Sequence, residues 1–230
     1  EEGPLPVLVE FHGGGFVHGN IESYDGNCRR LSIGAGCVVV NVDYRKAPDH
    51  KFPAAPEDCY AVTKWVAENA VSLNVDSTKI AVGGDSVGGN LATVVSLMAR
   101  DSGGPSIALQ ILMVPAVHRA FSPLTYDREE TPGGNAESTP MNNGWLAYLR
   151  DETDATNIYA CPIIADLRGL PPALVLTAEF DTFRDEGKAY AEKLKQAGVP
   201  TIFKEYEGMF HQFHMYPSYV DGGREGLNQE

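Results

Sequence analysis

Gly84-Asp85-Ser86-Val87-Gly88 is a G-x-S-x-G string, with glycines two positions either side of a hydroxyl. In a sharp strand-to-helix turn those are the positions where a Cβ would clash, so the spacing suits a bend that raises the serine Oγ out of the backbone. The flanking residues agree. Lys79 to Gly83 reads as a strand feeding the bend, and Val87 to Arg100 as a helix leaving it, stopped by Ser102-Gly103-Gly104-Pro105. A chain with 24 glycines would hold such a string by accident, as a plain tight turn, roughly one time in ten. A second string, His12-Gly13-Gly14-Gly15, is rarer, on the order of one chance match in a hundred such chains. It follows the apolar run Leu5 to Phe11, and its backbone N–H groups can converge on an oxygen that turns negative as a carbonyl becomes tetrahedral. Both strings, in this order, point to acyl transfer at Ser86.

Outward from the bend, Gly36 to Val42 and Ile107 to Val114 read as further buried strands, as do Pro172 to Ala178 and Thr201 to Tyr206. Tyr24 to Ser32 supplies a crossover helix. Pro56, followed by Glu57 and Asp58, starts another helix, whose core face takes in Tyr60, Val62, Trp65 and Val66. Arg184 to Ala197 is a third, with Gly198 as its stop. Six strands alternating with helices predict one α/β domain over residues 1–230, a mostly parallel sheet flanked by helices, with functional residues in loops at the carboxyl ends of strands. Between about 116 and 169 the alternation fails. Pro123, Pro132-Gly133-Gly134 and Pro140 surround one amphipathic stretch, Met141 to Leu149, which has Trp145 and Leu149 on one side; this is expected to be a cap-like insertion over the site.

Composition narrows the partners. Eighteen Lys and Arg against 31 Asp and Glu leave a net charge of −13, so a polyanion such as nucleic acid is repelled. No apolar run reaches the roughly 18 residues that span a bilayer. Cys28, Cys37, Cys59 and Cys161 form no C-x-x-C pair and no secreted framework, which suits free thiols in a reducing compartment and a soluble, cytoplasmic protein.

A serine hydroxyl needs a base, and the base needs a partner that fixes its tautomer. Of six histidines, His12 belongs to the glycine loop, His18 and His50 fall in polar loops, and His118 lies just past a strand end. His211, in Gly208-Met209-Phe210-His211-Gln212-Phe213, sits where the chain order Ser, acid, His puts the base, with His214 its near competitor. Position alone allows either to be an ordinary loop histidine bonded to backbone. For the acid, Glu179, Asp181 and Asp185 all follow a strand end and precede His211. Asp181 fits best, because Glu179 follows the strand too closely and Asp185 falls in the first turn of a helix, where acids ordinarily partner the dipole. None of this chemistry requires a metal or a cofactor.

At these residues the chain resembles an esterase of the hormone-sensitive-lipase type within the α/β-hydrolase superfamily. The resemblance runs through His12 to Phe16, Asp43 to Ala55, Gly84 to Gly89, Leu170 to Ala173, Glu179 to Asp181, Arg184 to Gly187 and Gly208 to Phe213. It implies an α/β-hydrolase fold, Ser86 as nucleophile, Asp181 as acid and His211 as base. It also implies an oxyanion hole formed by the N–H groups of Gly14, Gly15 and Val87. The implied reaction is hydrolysis of a small carboxylic ester with a short acyl chain. Amide or lactone hydrolysis would use the same groups, and a homodimer is compatible with the pattern. Plant hormone receptors share the scaffold and bind without turnover, but they lack the histidine that His211 supplies. The chain departs from the pattern in three places. Val87 adds two methyls beside the nucleophile, which should penalise bulky acyl groups. Thr182 stands where proline is usual, and Gln212 where glycine is common, so the acid and base loops are expected to differ in shape. Two strands and a helical cap usual before Leu5, and a longer final helix, are missing from the pattern, so the chain reads as trimmed at both ends.

Overall fold

A computed structural model describes residues 3–119, 140–220 and 222. Six strands form one sheet, all parallel: β1 (Leu5–Phe11), β2 (Val38–Val42), β3 (Val75–Asp85), β4 (Leu109–Met113), β5 (Ala173–Phe180) and β6 (Thr201–Phe210). Their spatial order is β2-β1-β3-β4-β5-β6. The chain moves one way from β1 to β2 and then returns to place β3 on the other side of β1. A crevice therefore opens above the carboxyl ends of β1 and β3, the usual place for a ligand in such sheets.

The helices between strands are α1 (Ile21–Ala35), α2 (Ala54–Glu68), the single turn α3 (Ala70–Leu73), α4 (Val87–Ser102), α5 (Pro140–Tyr148) and α6 (Arg184–Gln196). α1 starts on a capping box, in which Asn20 Oδ1 accepts from Ser23 N–H while Ser23 Oγ accepts from Asn20 N–H. It ends on Gly36, whose φ of 63° is the left-handed stop. α4 is buried along nearly all its length, because it leaves the sheet centre and packs between β1, β3, β4 and α2. No helix among the described residues is long and apolar enough to cross a membrane.

Most sequence-predicted elements stand within a few residues of their expected ends, and the exceptions have physical reasons. α2 begins at Ala54 rather than Pro56, with Pro53 before it. Its buried stripe runs through Ala55, Cys59, Thr63 and Val66. Trp65, expected in the core, is 51% exposed. β6 continues past Tyr206 to Phe210, so most of the segment expected as a loop before His211 is strand. Of the expected insertion, residues 120–139 lie outside the described residues. The described remainder packs into the main core: Trp145, Tyr148, Leu149, Ala160, Cys161 and Leu167 are all buried there.

Candidate active site

Ser86 occupies φ 56° and ψ −120°, a conformation that L-residues avoid and that persists only where neighbours enforce it. Here its N–H donates to the Met113 carbonyl (2.9 Å), and its carbonyl accepts from Ala116 N–H (3.0 Å) and Asn90 N–H (3.2 Å). β4 and α4 thus hold the bend from both sides. The two motif glycines are explained by backbone proximity. A Cβ at Gly88 would overlap the Phe11 carbonyl oxygen, and one at Gly84 would meet both that oxygen and the Gly88 backbone.

The register Phe11↔Gly84 sets the glycine loop beside this bend. Gly14, at φ 119°, folds its carbonyl back to accept from Val17 N–H (3.1 Å) and His18 N–H (2.8 Å). The N–H groups of Gly14, Gly15 and Val87 take no acceptor among the described residues. His12 is buried, stacked on Tyr44 with ring centroids 4.3 Å apart. Burial lowers its pKa, so the ring is a neutral brace; Tyr44 Oη fixes the same segment by donating to the His12 carbonyl (2.8 Å). From above, Tyr148 of α5 stacks on Phe16 at 3.7 Å.

Asp181 and His211 are each the first residue after a strand, and the register Phe180↔Phe210 places those strand ends side by side. Asp181 Oδ2 lies 2.9 Å from His211 Nδ1, while Oδ1 accepts from Phe183 N–H (2.9 Å). Burial lowers the His211 pKa, but the charge and hydrogen bond of Asp181, assisted by Asp85, outweigh it and leave the imidazole raised above its ordinary value. β6 is three strands away from β3, roughly 14 Å at the normal strand spacing, so the base must reach back across the sheet. The reach is visible one residue on: the Gln212 side-chain amide bonds Asp85, the residue before Ser86. Ser86 Oγ itself makes no hydrogen bond to a described residue, an open arrangement common before substrate is bound.

Residues 8–215 match the family model described as alpha/beta hydrolase fold. The chain belongs to that family. Among solved structures, a hyperthermophilic esterase from the archaeon Pyrobaculum calidifontis is 47% identical with a TM-score of 0.94, covering all of this chain and 76% of its own. A protein named esterase LipI from Mycobacterium tuberculosis is 37% identical over 230 residues, covering 100% of this chain and 72% of the relative. An arylesterase from Saccharolobus solfataricus is 40% identical over 208 residues, covering 90% and 68%.

Within this α/β-hydrolase the two rival acids have other partners, and the rival histidine is buried. Glu179 accepts from Gly208 N–H (2.7 Å), pinning β6 to β5, and Asp185 pairs with Arg184 (2.9 Å). His214 is buried, which depresses its pKa to about 4, and its Nδ1 finds no partner among the described residues. Two features escaped the sequence reading. One is the knot of Tyr24, Asp85 and Gln212 around Gly13; the advance signals were that Asp85 stands beside the nucleophile and that Gln212 stands where glycine is common. The other is Glu186 on α6, fully buried, accepting from the His118 N–H (3.0 Å) and held protonated by burial well above the usual carboxyl range.

Proposed function

We propose that the carboxylic ester hydrolysis characteristic of its relatives runs in this chain through Ser86, His211 and Asp181, on esters with short acyl chains. His211 Nε2 takes the Ser86 proton as Oγ attacks the carbonyl carbon, and Asp181, bonded to Nδ1, stabilises the imidazolium. The tetrahedral oxygen, now negative, accepts from the N–H groups of Gly14, Gly15 and Val87. His211 then returns the proton to the leaving alcohol, giving an acyl-serine. Water, deprotonated by the same imidazole, attacks the acyl carbon, and His211 passes that proton to Ser86 Oγ as the acyl–oxygen bond breaks and the acid leaves. The observation that carries this reading is the 2.9 Å Asp181–His211 bond on a loop tied by Gln212 to the residue before a strained serine. The limit on acyl size rests on the two methyls that Val87 adds in the residue after Ser86. Four free cysteines, three of them buried, support a reducing compartment, the cytoplasm.

Initial rates on p-nitrophenyl esters of rising chain length, run beside Ser86→Ala, test both parts. The expected outcome is a maximum at acetate or butyrate and loss of turnover in the variant. A Ser86→Ala protein with parental rates would remove the nucleophile from the reading, and a maximum at long chains would remove the acyl limit.

A further inference from the structure

Gln212 stands at φ 59° and ψ 26°, the left-handed region that glycine enters freely and a long side chain does not. It follows the base, so a strained residue there invites a reason in its side chain. Both amide protons of Gln212 Nε2 are used: one goes to Asp85 Oδ2, the other to Tyr24 Oη (3.0 Å). Tyr24 Oη donates in turn to Asp85 Oδ2 (3.1 Å), and Gly13 N–H is shared between Tyr24 Oη (2.9 Å) and Asp85 Oδ1 (3.2 Å). Asp85 is almost fully buried, and among the described residues it has no Lys or Arg partner. Its carboxylate is therefore satisfied by neutral donors, and one of them is the only side chain in the knot that comes from the base loop.

We propose that Gln212 is a positioning residue: its amide locks the His211 loop to the serine elbow and to the glycine loop at once, through Asp85, Tyr24 and Gly13. The inference rests on the Ser86–His211 reading above and deepens it. Residues from three regions far apart in sequence meet at this knot, Gly13 with Tyr24, Asp85 and Gln212, and Gln212 sets where the imidazole arrives over the gap between β6 and β3.

Three variants separate positioning from folding, with kcat and KM on p-nitrophenyl acetate and Tm as readouts. Gln212→Met fills the same volume without donors and is expected to lose about tenfold to a hundredfold in kcat, the cost of a misplaced catalytic group, with KM within about twofold. Gln212→Glu, isosteric but carrying a second carboxylate against Asp85, should lose at least as much. Gln212→Gly relieves the backbone, so Tm should equal or exceed the parent's while kcat falls as in the Met variant. Parental kcat in the Met or Gly variant would overturn the proposal. His211→Ala, read by fluorophosphonate labelling of Ser86, keeps the two readings apart. Lost labelling there, with a parental Gln212→Met, sinks the positioning role alone, whereas labelling at the parental rate sinks the base assignment and the positioning role with it.

Discussion

At the scale of single residues, His211 carries the sharpest expectation. A base acts only when neutral, and the Asp181 carboxylate favours the charged imidazolium, raising the pKa above the ordinary 6.5. Activity should therefore fall as pH drops through a value above 6.5, where an isolated histidine would still be largely neutral. Asp181→Asn removes the charge that raises it, so the acid limb of the kcat/KM profile should move to lower pH while the plateau drops by orders of magnitude, because the tautomer is no longer fixed. An acid limb that stays put in Asp181→Asn would mean that another group titrates. Ser86, Asp181 and His211 could be singled out in the sequence because the G-x-S-x-G string and the chain order Ser, acid, His point to them, while position alone left Glu179, Asp185 and His214 as competitors. Gln212 was legible only as an oddity, since its partners lie 127 and 188 residues away and no local periodicity encodes a contact of that range.

At the scale of elements, α6 holds a buried carboxyl that should govern stability against pH. Glu186 is kept protonated in the fold by burial, and it serves the chain leaving β4 by accepting from the backbone N–H groups of Val117 and His118. The unfolded chain releases this proton near the ordinary carboxyl pKa, whereas the folded chain keeps it. Stability is thus complete below about 4.5 and declines as pH rises toward the raised folded value. Glu186→Gln keeps an acceptor oxygen for His118 N–H and has no proton to lose, so Tm between pH 6 and 8 should rise by a few degrees, with the gap closing near pH 4. Calorimetry at those pH values measures it; an equal Tm difference at every pH would tie the effect to packing rather than to the proton. Element identity was readable from period and breakers, as in α6 with Gly198 behind it. Faces were less readable. Trp65 faces outward, because the buried stripe through Ala55, Cys59, Thr63 and Val66 is fixed by α4 and β3 packing and not by the size of an aromatic ring.

At the scale of the whole molecule, alternation of strands and helices foretold a parallel sheet but not its order. Every crossover looks alike in sequence, and the side on which β3 joins β1 is decided by which faces remain uncovered. That reversal is what makes the crevice, so the alternation pointed only to the carboxyl ends of strands in general, and the motifs alone pointed to the ends of β1 and β3. The charge is likewise a global property. Several cations are held in local pairs, Arg29 with Asp25, Arg45 with Asp58, Arg150 with Asp154 and Arg168 with Asp166, and the excess of 13 negative charges is left to shape the field outside. An ester bearing a carboxylate is repelled on approach; a neutral ester of equal size is not. The Debye length shrinks from about 30 Å at 0.01 M salt to about 8 Å at 0.15 M, so that rise in salt should increase kcat/KM for the anionic ester several-fold and leave the neutral ester unchanged. Paired initial-rate series across that range give the answer. A flat or falling response for the anionic ester would show that charges at the crevice mouth, rather than the net charge, govern entry to Ser86.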